Sequence, residues 1–394
     1  MLNTDYYIQD NSDIEETKLE AAKGLYRVGN YAGALKLYLD IVNTSYSYKT
    51  YYETGRCYYK LGDMGNAESY FSRSVSLESH KNPSYVFLGN IYFKRQEVEK
   101  AIENWITAFS FKPDDESACL NLATSYFTKD MKFQSIFFYE KYLKYAKDKT
   151  SPYYLEIKKS VAEFIKLGNE FYQKARRAID AKDNQTAIQA LSYAIKNYPL
   201  NFDTNLLLGK LYFEEKDYMH ALIYFKQAFC LDNKSLDVLQ RLSSTMIKVG
   251  DFTGAYCCLK RMLPLVMNNQ REYLEILKSI KPLEESFDNL SYQGHLEWAD
   301  NYYNENNYHF ALFEYENCLI VDGNLTGKLS DKVHKIKSFI NPEDRIIKAC
   351  FEIGGSHYSN KNFKESNKYF SKIMTLSGAN SSEYKFAKSR LVNV

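Results

Sequence analysis

A twelve-residue interval between two small residues recurs nine times in this chain, and a large apolar residue follows four positions later each time. The small pairs are Ala22/Ala34, Gly55/Ala67, Gly89/Ala101, Ala123/Ser135, Ala175/Ala187, Gly209/Ala221, Ser243/Ala255, Ala299/Ala311 and Gly354/Ser366. The large residues are Tyr38, Phe71, Trp105, Tyr139, Leu191, Phe225, Leu259, Tyr315 and Phe370. Successive pairs start 33, 34, 34, 52, 34, 34, 56 and 55 residues apart. The stretch from Pro83 to Pro113 shows what one period encodes. Tyr85, Leu88, Gly89 and Tyr92 share one helical face, Ala101, Trp105 and Ala108 share another, and Gln96-Glu97-Val98 breaks the stripe between them. Pro113 then stops the second helix. Gly89 and Ala101 let the two backbones cross closely, while Tyr92 and Trp105 fill the space around the crossing. One hairpin of this kind leaves apolar surface on both sides, so it needs copies of itself to cover it.

The pattern resembles the tetratricopeptide repeat family, whose unit is a 34-residue helix–turn–helix. The segments that carry the resemblance best are LGNIY (Leu88 to Tyr92) with AIENW and Pro113, and LGKLY (Leu208 to Tyr212) with KDYMHALIYF. The turns Gly29-Asn30-Tyr31, Lys216-Asp217-Tyr218 and Gly250-Asp251-Phe252 also fit, although the family's proline row keeps only Pro113 and Pro199. The resemblance runs over about residues 15 to 376. It implies an all-α, right-handed solenoid of stacked repeats with inserted helices and a C-terminal capping helix. It also implies a binding scaffold rather than any one chemistry.

The spacing predicts a loose tail over 1–13 and repeats one to four over 14–148. An extended helix with repeats five to seven follows over 149–267, then inserted helices with repeats eight and nine over 268–376, and a capping helix within 377–394. The first excess lengthens the opening helix of repeat five, giving one helix from Pro152 to about Ala181. The second predicts a helix over Glu272 to Ile280 and another helical start, and the third a short polar helix before Pro342. The lysines at 141, 144, 147, 149, 158 and 159 read as a solvated face.

Fifty-one basic residues against 49 acidic ones leave no charge excess for bulk nucleic-acid binding. No apolar run reaches the roughly 18 residues of a membrane helix, and the polar, acidic opening MLNTDYYIQDNSD is unlike a signal peptide. Seven scattered cysteines without a CxxC point to buried reduced thiols in a cytoplasmic protein, and not to zinc. Gly354-Gly355-Ser356-His357 lies within a repeat helix and lacks the lysine of a phosphate loop, and the six histidines show no metal spacing. A non-enzyme with no cofactor is therefore expected.

In the family this pattern resembles, a partner lies along the concave face, against residues one, four and five past the first small residue. Four past it stand Tyr26, Tyr59, Phe93, Phe127, Ile179, Phe213, Ile247, Tyr303 and Tyr358, a ladder suited to an extended peptide or a partner helix. The flanking positions are basic in the first three repeats and of mixed sign later. The expected partner-binding residues are Lys23, Tyr26, Arg27, Arg56, Tyr59, Lys60, Asn90, Phe93, Lys94 and Phe127, and the expected partner is a protein or peptide with an acidic segment. The carboxylate-holding set of the chaperone-binding members is not reproduced, since Leu19, Lys23, Glu53, Pro83 and Phe87 stand in its places. The competing reading is a structural subunit of a larger secretion, motility or envelope apparatus, held through the convex face and the inserts.

Overall fold

The computed structural model describes residues 4–44, 46–79, 82–284, 289–321, 327–340, 342–377 and 381–392. Among these residues there are twenty-one α-helices and no strand. The chain forms two compact units, Met1–Leu122 and Ala123–Val394. The first holds three hairpins, α1 (Thr4–Arg27) with α2 (Tyr31–Val42), α3 (Tyr48–Leu61) with α4 (Met64–Leu77), and α5 (Ser84–Lys94) with α6 (Val98–Phe111). Helix α7 (Glu116–Thr128) opens repeat four and contains the division, which falls at none of the inserted segments. The second unit continues with α8 (Lys132–Tyr145), α9 (Pro152–Asp180), α10 (Asn184–Asn197), α11 (Phe202–Glu214), α12 (Tyr218–Leu231), α13 (Leu236–Val249) and α14 (Phe252–Met262). It ends with α15 (Gln270–Glu284), α16 (Asn289–Asn304), α17 (Tyr308–Val321), α18 (Lys328–Ile340), α19 (Pro342–Ser359), α20 (Phe363–Leu376) and α21 (Ser382–Ser389).

Every small residue of the nine pairs is buried, and so is every large one except Tyr139, which is half-buried. The reason for smallness is direct. A Cβ on Gly55, Gly89 or Gly209 would fall 2.8, 2.4 or 2.6 Å from the ring of Phe71, Trp105 or Phe225. Where the second residue of a pair is serine, its hydroxyl donates to the carbonyl twelve residues back: Ser135 to Ala123 at 3.0 Å, and Ser366 to Gly354 at 2.9 Å. The Trp105 indole N–H donates to the Val86 carbonyl and to Asn90 Oδ1, so its polar edge is satisfied.

Each turn is built alike. Gly29, Gly62, Gln96, Asp130, Lys182, Lys216, Gly250, Asn306 and Lys361 all have positive φ, and each lies five residues before the second small residue of its repeat. In six repeats the next residue, Asn or Asp, caps the second helix with its side chain: Asn30, Asp63, Asp183, Asp217, Asp251 and Asn362.

The inserts are helical. The single helix from Pro152 to Asp180 matches the expectation for repeat five. Helix α15 lays Ile276, Ile280 and Leu283 against the core around α14, and α18 buries Val333, Ile336 and Phe339, so it is apolar on one face. Helix α21 packs on repeat nine through Ala387 and through Phe386, whose ring meets Phe351 and Phe370. The expected loose tail is instead helical from Thr4, because nothing between residues 4 and 13 breaks a helix. None of the described helices is long and apolar enough to cross a membrane.

Within the second unit, repeats eight and nine depart from the rule that a repeat touches only its neighbours. They turn back onto earlier repeats, onto α7 and onto the second helices α8, α12 and α14. Tyr126 donates to the Asn306 carbonyl at 3.4 Å, and Gln134 to Asn307 at 3.3 Å. Phe133 and Phe137 meet the half-buried ring of His309 edge-on, and Phe229 meets Phe313 likewise. Lys141 pairs with Glu343, and Lys144 donates to the Leu376 carbonyl at 2.8 Å. These contacts draw repeat four into the second unit, which explains a division inside α7.

The two kinds of glycine give opposite structural tests. At Gly62 nothing lies near a new Cβ, so Gly62→Ala costs only the left-handed backbone, about 1–2 kcal/mol. Gly89→Ala drives a methyl into the Trp105 indole and costs roughly 1–3 kcal/mol through overpacking, with the indole fluorescence altered. Urea denaturation measures both, and an unshifted midpoint for Gly62→Ala contradicts the left-handed turn.

Candidate functional site

The first-helix face of repeats one to three lies within the first unit and carries cations laid over rings. The Arg56 guanidinium sits 4.2 Å from the centroid of Tyr26 and 5.6 Å from that of Tyr52, and also bonds Glu53 at 2.7 Å. The Lys94 ammonium lies 4.8 Å over Tyr59, whose ring meets Phe87 edge-on. Lys23 bonds Glu20 at 2.7 Å. Arg27 and Lys60 are exposed, and Phe93 is 40% exposed with its inner edge against Trp105. Asn90 faces inward, its Oδ1 accepting from Trp105 at 3.0 Å and from Asn121 at 2.7 Å.

These placements revise the expected set. Arg56 and Lys23 have carboxylates beside them, and Asn90 serves the hairpin contact. Much of the ring ladder is also structural. Tyr26, Phe213, Tyr303 and Tyr358 each pack edge-on against the ring five residues later, at Tyr31, Tyr218, Tyr308 and Phe363. They pin each left-handed turn between its helices. Phe93 in the first unit and Phe127 in the second have no ring five residues on and stay exposed, and Ile247 is exposed even though Phe252 stands five residues on. The first-unit surface that remains available is Arg27, Lys60, Phe93 and Lys94, with Tyr59 beneath.

A cluster of titratable groups missed from sequence lies inside the second unit. Glu314, fully buried, accepts from the Lys226 ammonium at 2.5 Å through one oxygen. Its other oxygen accepts from His295 Nδ1 at 2.6 Å and from Asn317 at 3.3 Å. His295 Nε2 donates to Asp251 at 3.1 Å, and the same Asp251 oxygen caps α14 by accepting from Gly254 N–H at 2.7 Å. Burial opposes a charge on His295, but its hydrogen bonds to Asp251 and Glu314 outweigh that and raise its pKa to about 9. Burial likewise raises Glu314, yet Lys226 and His295 prevail and bring it down to about 2. The groups bond one another and join α12, α14, α16 and α17, so the cluster fastens these four helices together. The one hint in sequence was Glu314 amid the apolar run FALFEYENCLIV.

The seven cysteines are free; six are buried, and Cys230 is half-buried. Burial pushes the thiols of Cys57, Cys230, Cys258 and Cys318 up to about 12, so they are poor nucleophiles. Among the described residues no group of three or more His, Cys, Asp or Glu is placed to hold a metal.

Small residues at every crossing and a left-handed residue at every turn define a helical-repeat scaffold. Residues 89–130 match the description "TPR repeat", and residues 19–85 and 172–231 match "Tetratricopeptide repeat". The chain is a tetratricopeptide repeat protein, and in general terms a scaffold for protein interaction. No curated protein matches it. Among solved structures it is similar to MamA, at 21% identity, over 40% of this chain and 86% of that one, with a TM-score of 0.32. A tetratricopeptide repeat protein from Parabacteroides merdae matches at 13% identity, over 67% and 97%, with a TM-score of 0.33. YrrB, described as a protein with an unusual peptide-binding site, matches at 16%, over 54% and 97%, with a TM-score of 0.26.

The buried imidazolium sets a pH dependence. A pKa raised to about 9 means that its stabilisation is complete below about 6.5 and is lost as pH rises through 9. Stability should fall over that window by on the order of 3 kcal/mol. Urea denaturation at a series of pH values measures the slope, and His295→Gln should be less stable and nearly flat. An equal slope in the variant contradicts the assignment.

Proposed function

We propose that this protein is a non-catalytic adaptor of a reducing compartment such as the cytoplasm. Its first-helix face in repeats one to three receives an acidic peptide segment or helix. The observation that carries this reading is the Lys94 ammonium held over Tyr59 beside exposed Phe93, with Lys60 and Arg27 exposed along the same face. Fixed cations beside an open ring suit a segment that alternates carboxylates with apolar side chains. Coverage of α8, α12 and α14 by repeats eight and nine removes second-helix surface that an assembly subunit would use, which favours the adaptor.

The test is to capture the partner by pull-down with mass spectrometry, then measure its affinity for the triple variant Arg27→Glu, Lys60→Glu and Lys94→Glu. Arg56 is left alone because it is packed on Tyr26. Three exposed ion pairs at about 0.2–1 kcal/mol each predict a loss of roughly 3- to 150-fold, and raised salt should weaken the native complex. Binding within twofold of the native chain, with helicity unchanged, overturns the proposal.

A further inference from the structure

The fold-back of the second unit creates a polar cleft of about 630 Å³ where α8, the turn between α12 and α13, α19 and the start of α21 meet. Four lysines line it, Lys141, Lys144, Lys234 and Lys348, against two described glutamates, Glu343 and Glu383. They come from three stretches of chain up to two hundred residues apart, so the basic character of the cleft is invisible to any sequence window.

Their roles differ. Lys141 is neutralised by Glu343, which also accepts from the Tyr145 hydroxyl at 3.3 Å. That ion pair fastens repeat nine to α8. Among the described residues Lys144 donates to a neutral oxygen, the Leu376 carbonyl at 2.8 Å, and lies 4.8 Å over the Tyr145 ring. Burial and then neighbouring Lys141 depress its pKa, and Glu343 opposes them only in part, so a further anion in the cleft would offset the remaining cost of the charge. Lys234 and Lys348 are exposed on other walls of the cleft.

We propose that this cleft binds a small soluble anion of the phosphate-ester or pyrophosphate class, held by Lys144, Lys234 and Lys348. Three ammonium groups from separate walls suit a tetrahedral, multiply charged group approached from several sides. The described lining contains no guanidinium fork, the group that favours a planar carboxylate. Glu383, which also lines the cleft, disfavours a long acidic chain lying across it. This site is separate from the first-helix face of the first unit and does not depend on it.

The test is isothermal titration of the full chain with inorganic pyrophosphate, with sodium chloride at matched ionic strength as the control. One saturable site is expected. Lys234→Gln and Lys348→Gln remove exposed side chains, so the fold is retained, as circular dichroism checks. Each should weaken binding about two- to fivefold, the range one exposed ion pair supports, and the double variant more. Lys60→Gln in the first unit should leave the affinity unchanged. Binding equal in the double variant, or heat reproduced by chloride alone, overturns the proposal. A phosphoserine peptide that displaces pyrophosphate and binds at least tenfold tighter overturns the small-anion assignment in favour of a phosphorylated partner.

Discussion

In each hairpin the second helix lays a large side chain over a residue that has no room for one of its own. Trp105 over Gly89 is the clearest instance: the indole occupies the space a Cβ would need, and its N–H then reaches the Val86 carbonyl and Asn90. A ring sixteen positions from a small residue sets both the helix separation and the rotation of one helix about the other. Once that contact is made, the left-handed residue and the Asn or Asp cap only have to close a gap whose width is already decided. Stacking repeats every 33 or 34 residues then requires no more than the same contact again.

The rows that make this contact were legible because they recur in register and because smallness and bulk are read directly from residue type. The turns were only partly legible. Three of the nine left-handed positions are glycine; the other six are Gln96, Asp130, Lys182, Lys216, Asn306 and Lys361, which no propensity marks as left-handed as a set. Tertiary contact imposes the conformation there. The ring ladder was legible as a row but not in its purpose. Tyr26 pins its turn against Tyr31, whereas Phe93, followed five positions later by Val98, stays exposed, a difference that the row alone does not reveal.

The fold-back was not legible. Its contacts join residues such as Gln134 and Asn307, or Lys144 and Leu376, by polar groups that look like ordinary solvated side chains in sequence. Even the charge count misled at Lys226 and Glu314, which cancel in any tally of surface charge yet sit together in the interior. The inserts supply the slack for the reversal. Helix α15 seals the apolar flank of α14, and α18 fills the space between repeats eight and nine, so neither is a decoration on a uniform stack.

A solenoid that closes on itself acquires an order of assembly. A simple stack can begin folding anywhere, because each step joins neighbours and the loops to be closed are short. In 123–394 the partners of Asn306, Glu343 and Leu376 lie 180 to 232 residues back, so the entropic cost of closing those loops falls on the last hundred residues. During synthesis the second helices of repeats four, six and seven must therefore wait, with His309, Phe313 and Glu314 still to come, as an uncovered surface of mixed apolar and charged character. The C-terminal quarter is thus the slow, cooperative step for the whole second unit. A ribosome that pauses or terminates before it releases a half-covered body, not a shorter version of the same protein.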